Sequence, residues 1–263
     1  MGSATRQALS ASTAALSSLG TADVATGEQL LAAGRVIGDS AQLLAALSDP
    51  SAATADKVSI VDSVFSGLPA SARSLLGTVA SNRWSNGQDL LAAIEELGFR
   101  VLARSSKGSS TIEDELFSFG TVVGTDSELE LAVSSKLGTA ADKSALVRTL
   151  LDGKASAQTV AIVDHLVQQP RGRRIAALLR QAASIVADES GLAVATVTSA
   201  APIDAKQLDR IASALSKAKG RDLRINHVID PSIVGGIRVQ IGDDVIDGSV
   251  ATKLNDLRLQ LAS

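Results

Sequence analysis

A run of 32 residues occurs twice in this chain, and no other feature restricts its fold as tightly. Residues 36–67 align without gaps to 122–153. Ten positions are identical: Val36/Val122, Gly38/Gly124, Leu43/Leu129, Ala46/Ala132, Ser48/Ser134, Ala55/Ala141, Asp56/Asp142, Lys57/Lys143, Val61/Val147 and Gly67/Gly153. Each copy reads as a helix, a short break, and a second helix led by Asp-Lys and stopped by glycine. Val61, Val64 and Phe65, like Val147, Leu150 and Leu151, fall at i, i+3, i+4, which is one face of a helix. Thr139 with Asp142 makes a capping box. Matched glycines in an ungapped run argue for duplication rather than chance likeness of two Ala/Leu-rich segments.

Each copy continues into further helices. Leu90, Leu91, Ile94, Leu97 and Val101 form a stripe behind Asn82-Arg83-Trp84-Ser85-Asn86-Gly87. Ile175, Leu178, Leu179, Ala182, Ile185 and Val186 form its counterpart behind the turn Gln169-Pro170-Arg171-Gly172-Arg173-Arg174. The polar segment 105–110 reads as a linker. Two helical bundles in series are expected, over 1–104 and 111–188. Hydrophobic residues make up 45% of the chain but aromatics only 2%. The core must therefore be Leu, Val, Ile and Ala, which suits helix-on-helix packing.

The periodicity changes after residue 188. Leu192–Ser199 is strand-like, Asp204 caps a helix carrying Leu208, Ile211 and Leu215, and 223–229 alternates as a second strand. Next comes PSIVGGIRVQIGDDVIDGSVATKL, residues 231–254. Its paired Gly235 and Gly236, its alternating Ile237, Val239 and Ile241, and its turn at Gly242-Asp243-Asp244 describe a β-hairpin with a close backbone approach or a bulge. A last helix carries Leu254, Leu257 and Leu261. Residues 189–263 thus read as a small βαββα unit. The fold class expected is mainly α with a small α+β C-terminal domain.

Reactive groups are scarce. Cysteine is absent, which removes disulfides, thiolate metal sites and cysteine nucleophiles. Net charge is −3, against the clustered positive charge that nucleic acid requires, and so few aromatics offer little stacking surface. His165 and His227 sit in no metal-ligand spacing. Asp243, Asp244 and Asp247 fail the calcium-loop template and suit a solvated turn. The Gly235-Gly236 pair lacks the further glycines of a nucleotide-binding loop. Ser249 lies outside a nucleophile elbow and suits a helix cap. Arg171, Arg173 and Arg174 form a tight basic cluster able to meet an acidic partner surface or to sit solvated at a helix start. No catalytic residue, cofactor or metal is expected, and a binding or structural role remains. No apolar run reaches the roughly 18–20 residues that span a bilayer. The first twenty residues do not read as a signal peptide. The chain is therefore expected in the cytoplasm, reaching a membrane only through a partner.

The C-terminal pattern resembles the signature of the δ subunit of bacterial F-type ATP synthases, whose mitochondrial counterpart is the oligomycin-sensitivity-conferring protein. The signature falls on Pro231, Gly235, Gly236, Gly242, Asp247, Gly248 and Ser249, with Leu254 in the following helix. The resemblance is strongest over 225–257 and extends to the order of parts. This chain is longer than the usual member by about one bundle, which the duplication explains. The resemblance implies a non-catalytic stator: a helical bundle docked on the N-terminal segments of the α subunits, and a C-terminal domain gripping the b subunit. It places the protein peripherally, at the cytoplasmic face of the membrane, within a hetero-oligomeric complex. The alternative is a cytosolic helical-repeat adaptor unrelated to ATP synthase. A third reading is an enzyme using the Asp243/Asp244/Asp247 cluster.

Overall fold

A computed structural model describes residues 2–17, 23–106, 111–134, 138–220, 222–241 and 244–250. Twelve helices and four strands occur among them. The chain divides into two compact units, Met1–Val186 and Ala187–Ser263.

The first unit is helical: α1 (Ser3–Ser17), α2 (Val24–Asp39), α3 (Ala41–Ser48), α4 (Thr54–Val64), α5 (Ala70–Ser81), α6 (Gly87–Ser105), α7 (Thr111–Thr125), α8 (Ser127–Ser134), α9 (Ala140–Leu151), α10 (Ala157–Gln168) and α11 (Ile175–Glu189). Helices α2–α6 and α7–α11 correspond one to one, with α3 and α8 at the same offset of 86 as the sequence repeat. The matched positions have matched roles. Lys57 and Lys143 are both buried, as are Val61 and Val147. The capping box at Thr139 is present, with its hydroxyl accepting from the Asp142 amide and the Asp142 carboxylate accepting from the Thr139 amide. Gly153 takes the left-handed conformation of a helix stop (φ 65°), whereas Gly67 does not.

Two hydrophobic clusters fill this unit, and α6 belongs to both. Leu90, Leu91, Ile94, Leu97 and Val101 enter the cluster of the first copy with Leu30, Ile37, Leu75 and Leu76. Phe99, Leu102 and Ala103 enter that of the second copy with Ile162, Leu166 and Leu179. Beside these two apolar stripes α6 keeps a narrow polar strip, Asp89, Glu96, Arg100 and Arg104. The one charged residue buried on it is Glu95, at i and i+4 with Phe99. Helix α6 lies against α10 much as α1 lies against α5, so it ends one copy and opens the next. It approaches α2 closely. A Cβ at Gly98 would run into the Leu31 side chain, and one at Gly27 into Leu102. The linker residues 107–110 lie outside the described residues.

The second unit holds β1 (Ala193–Ser199), α12 (Ala205–Lys219), β2 (Leu223–Ile229), β3 (Ile237–Ile241) and β4 (Asp244–Asp247). Asp204 caps α12 by accepting from the Gln207 amide at 2.7 Å, and Gly220 ends it in the left-handed conformation. The sheet order is β2-β1-β3-β4. β1 and β2 are parallel across the α12 crossover, and the other pairs are antiparallel. Ala195, Val197 and Val239 form the core, with Ile211, Leu215 and Ile225 packed against it. The hairpin expected from sequence supplies two strands, so the unit has four. Its closing turn at Gly242-Asp243 and the helix expected at Leu254, Leu257 and Leu261 lie outside the described residues.

Candidate functional site

Among the described residues, two places gather groups that the sequence singled out. The first lies inside the helical unit. The turn Pro170–Arg173 is closed by the Arg173 amide donating to the Pro170 carbonyl at 2.9 Å. Its central residues both have positive φ, 47° at Arg171 and 75° at Gly172. This is the primed turn geometry that glycine adopts freely and arginine does not. The strain has a visible counterpart: both flanking guanidiniums reach Glu95 on α6. Arg171 Nη2 donates to Glu95 Oε2 at 2.6 Å, and Arg173 Nη2 to Oε1 at 3.0 Å. His165 Nε2 stands 3.2 Å from Oε2. On the other side of that ring, Arg35 Nη1 of α2 approaches Nδ1 at 3.1 Å. A guanidinium only donates, so Nδ1 must accept, and Nε2 carries the proton toward Glu95. The His165 ring is thus neutral, with its tautomer set by its neighbours.

Electrostatics agree with that geometry. Burial favours the neutral form of Glu95, but the His165 hydrogen bond and the charges of Arg171 and Arg173 outweigh it and hold the carboxyl below its usual range. Burial lowers His165 against the raising effect of Glu95, and Arg35 and Arg171 lower it further. Arg171 Nε is buried without a hydrogen-bond partner among the described residues. Beside this cluster, Gln169 donates to Asp39 at 3.0 Å, and Arg148 pairs with Asp164 at 2.6 Å. Of the three arginines singled out by sequence, Arg171 and Arg173 are engaged within the chain and Arg174 is exposed. The sequence reading missed Glu95. Its one signal was an acid set among the apolar positions of a helix.

The second place joins the ends of the hairpin. The Gly248 amide donates to the Ile237 carbonyl, and the Val250 amide to the Gly235 carbonyl, both at 2.9 Å. Gly236 has φ 82°, and a Cβ there would collide with the Gly248 carbonyl oxygen. The Asp247 carboxylate accepts from the Ser249 amide at 2.9 Å, and Ser249 is buried. Gly235, Gly236, Asp247, Gly248 and Ser249 therefore form one backbone junction. Pro231 sits in the preceding turn, where the Ile233 amide donates to the Asp230 carbonyl. Gly242 and Leu254 lie outside the described residues.

One further pair looks chemical and is structural. Ser199 Oγ lies 2.7 Å from His227 Nε2, as in a nucleophile–base dyad. The hydroxyl proton, however, goes to the Ala201 carbonyl at 2.6 Å. His227 Nε2 must then donate to Ser199, which stitches β1 to β2 instead of activating oxygen. Asp244 pairs with Lys219 at 2.6 Å and Asp247 serves the junction, so these two carboxylates are engaged separately, and Asp243 lies outside the described residues. Among the described residues, no three His, Cys, Asp or Glu side chains are placed to hold a metal ion.

The sequence profile of the family described as ATP synthase delta (OSCP) subunit matches residues 99–261, more than half of the chain. ATP synthase subunit delta of Leifsonia xyli subsp. xyli is 54% identical over 263 residues, covering 100% of both chains. The chain belongs to the ATP synthase delta (OSCP) subunit family. Its counterpart in Streptomyces griseus subsp. griseus is 35% identical over 270 residues, again across 100% of both chains. The family makes this chain a peripheral-stalk component of F-type ATP synthase, a structural subunit of a hetero-oligomeric complex. The adaptor alternative finds no support. The delta (OSCP) match begins at Phe99, inside α6, so the first copy up to that residue lies outside it. The longer form is nevertheless shared with the Leifsonia xyli protein over its whole length. No single described helix is long and apolar enough to cross a membrane.

Proposed function

We propose that the chain is a non-catalytic stator. In this reading its helical unit docks on the N-terminal segments of the α subunits, and its C-terminal unit holds the b subunit. The protein then sits peripherally at the cytoplasmic face of the membrane through the complex. The observation that carries this reading is the sharing of α6 between two cores, with Glu95 clamped across them. A link that resists torque must transmit force without a hinge, and a continuous helix buried on both faces supplies that. Exposed apolar side chains support the assignment of the C-terminal unit. Ile229 on β2, and Val245 and Ile246 on β4, are about half exposed along the two sheet edges. Such surface suits the apolar face of an amphipathic helix.

The test is a pull-down from detergent-solubilised membranes with the tagged full chain as bait, followed by residue-level cross-linking. Near-stoichiometric α, β and b subunits are expected, with cross-links from α to the helical unit and from b to residues 187–250. Recovery of the complex with both sets of cross-links exchanged would sink the assignment of partners. Recovery without α, β or b would sink the stator role.

A further inference from the structure

We propose that the junction of His165, Glu95 and Arg35 is an acid-sensitive joint between the two helical copies, closed while His165 is neutral and loosened when the ring takes a proton. Arg35 comes from α2 of the first copy, Glu95 from the shared α6, and His165 from α10 of the second. The ring is 3% exposed, so a proton arriving there is not hydrated. It has one face to spare for neither charge nor donor. Nδ1 accepts from Arg35, and a protonated Nδ1 would point a donor at a donor. The Phe99 ring meets the imidazole edge-on, with centroids 6.1 Å apart, and closes another side.

The charge count points the same way. Within hydrogen-bond reach of the ring and its partners, Glu95 is one anion, and Arg171, Arg173 and Arg35 bring three cations, of which Arg35 is also drawn toward Asp164, Asp39 and Glu28. Protonated His165 would be a fourth in a buried site. The other carboxylates nearby, Asp164, Asp39 and Glu28, attract Arg35, and Glu95 is the anion that favours the charged ring. Asp164 is held by Arg148 of α9 and by Gln168. Asp39 of α2 accepts from Gln169. Glu115 of α7 accepts from Ser156 and Thr159 at the far end of the helix. Relief comes by Arg35 leaving the ring, which loosens α2 from α10 and leaves Gln169 on the Arg35 carbonyl and Asp39 as the remaining polar tie there. The sign follows: the closed joint binds the proton less well than the opened one, so opening grows as pH falls below the ordinary histidine value of about 6.5. Glu95 keeps its charge below that range, so between about pH 6.5 and 5 His165, and not Glu95, is the member of this cluster that changes charge.

The chain has only two histidines, which makes the test direct. Ring signals of the full-length protein are followed by NMR from pH 8 to 5, with His227→Gln used for assignment. Amide exchange of α2 and α10 is measured over the same range and corrected for intrinsic rates. The His165 ring is expected to titrate below pH 6.5. Exchange in α2 and α10 is expected to rise as pH falls, by at most tenfold per pH unit for one proton, while α4 and α5 stay unchanged. In His165→Gln the rise should vanish. Titration of His165 at or above 6.5 overturns the proposal, and that reading needs no change at His165 itself. So does a rise that persists in His165→Gln, which would move the effect to another group, or one that spreads evenly to α4 and α5.

Discussion

Glu95 is where a single side chain decides most. It is a carboxylate at 5% side-chain exposure, facing two guanidiniums and an imidazole. Replacing it by Gln keeps the shape and removes the charge, leaving two part-buried cations facing each other without their anion. Breaking a buried ion network by removing one partner costs about 3–5 kcal/mol. Urea unfolding of Glu95→Gln should show a loss of that order, and a loss below about 1 kcal/mol would mean the cluster is solvated. The strain at Arg171 makes a second prediction, in which two effects oppose each other. Arg171→Gly relieves a left-handed non-glycine residue but deletes one contact to Glu95. If the contact outweighs the strain, the variant is destabilised despite its easier turn, and thermal melting reads the balance. At the hairpin junction, Gly236→Ala places a methyl on the Gly248 carbonyl and demands a positive φ. A loss of about 2 kcal/mol is expected in unfolding monitored by amide signals of β3 and β4.

At the scale of elements, α6 is the piece on which the helical unit depends. Its two stripes, Leu90/Ile94/Leu97/Val101 and Phe99/Leu102, serve different cores. Close approach to α2 rests on Gly98 and Gly27, so Gly98→Ala must displace the fully buried Leu31. Overpacking of this kind costs about 1–3 kcal/mol, which differential scanning calorimetry of the full chain would register. Elements also differ in how visibly they announce themselves. The capping box at Thr139 and the cap at Asp204 use local side chain to backbone bonds, and both were readable from spacing alone. The second arm of the hairpin was harder to read. β4 is exposed at all four residues, and its pairing with β3 rests on cross-strand register more than on an apolar pattern.

For the whole molecule, the shared helix predicts where the chain can be cut. Removing residues 1–106 at the polar linker takes Phe99, Leu102 and Ala103 out of the second core, and the remainder should lose cooperative unfolding. Removing only residues 1–85 keeps α6 and should leave a folded second copy. Circular dichroism and amide dispersion of the two truncations check this, and equal folding of both would mean α6 is dispensable to the second copy. Acid should weaken the helical unit in a defined order. Glu95 and Asp164 are both held below their usual values, so their stabilisation is present above about pH 4–4.5 and is lost as pH falls through lower values. Unfolding free energy measured from pH 6 to 3 should decline, and Asp164→Asn should flatten part of that decline.

Sequence alone determined what is local or repeated. The duplication, the helical stripes, the caps at Thr139 and Asp204, and the Gly235-Gly236 approach all lie in spacing, because they depend on bonds and contacts within a few turns of chain. The signature at Pro231–Ser249 was enough to suggest the family, because a glycine that admits a passing backbone has few substitutes. Tertiary structure decided what joins distant segments. Nothing in the spacing showed that α6 faces two cores, because a doubly buried helix is only an apolar helix until its neighbours are known. Nothing in the turn at 169–174 showed Arg171 and Arg173 turned inward, because their partner lies 76 and 78 residues away at Glu95. Burial of that one carboxylate is a property of the packed unit, and it is what turns a basic cluster into a clamp between the copies.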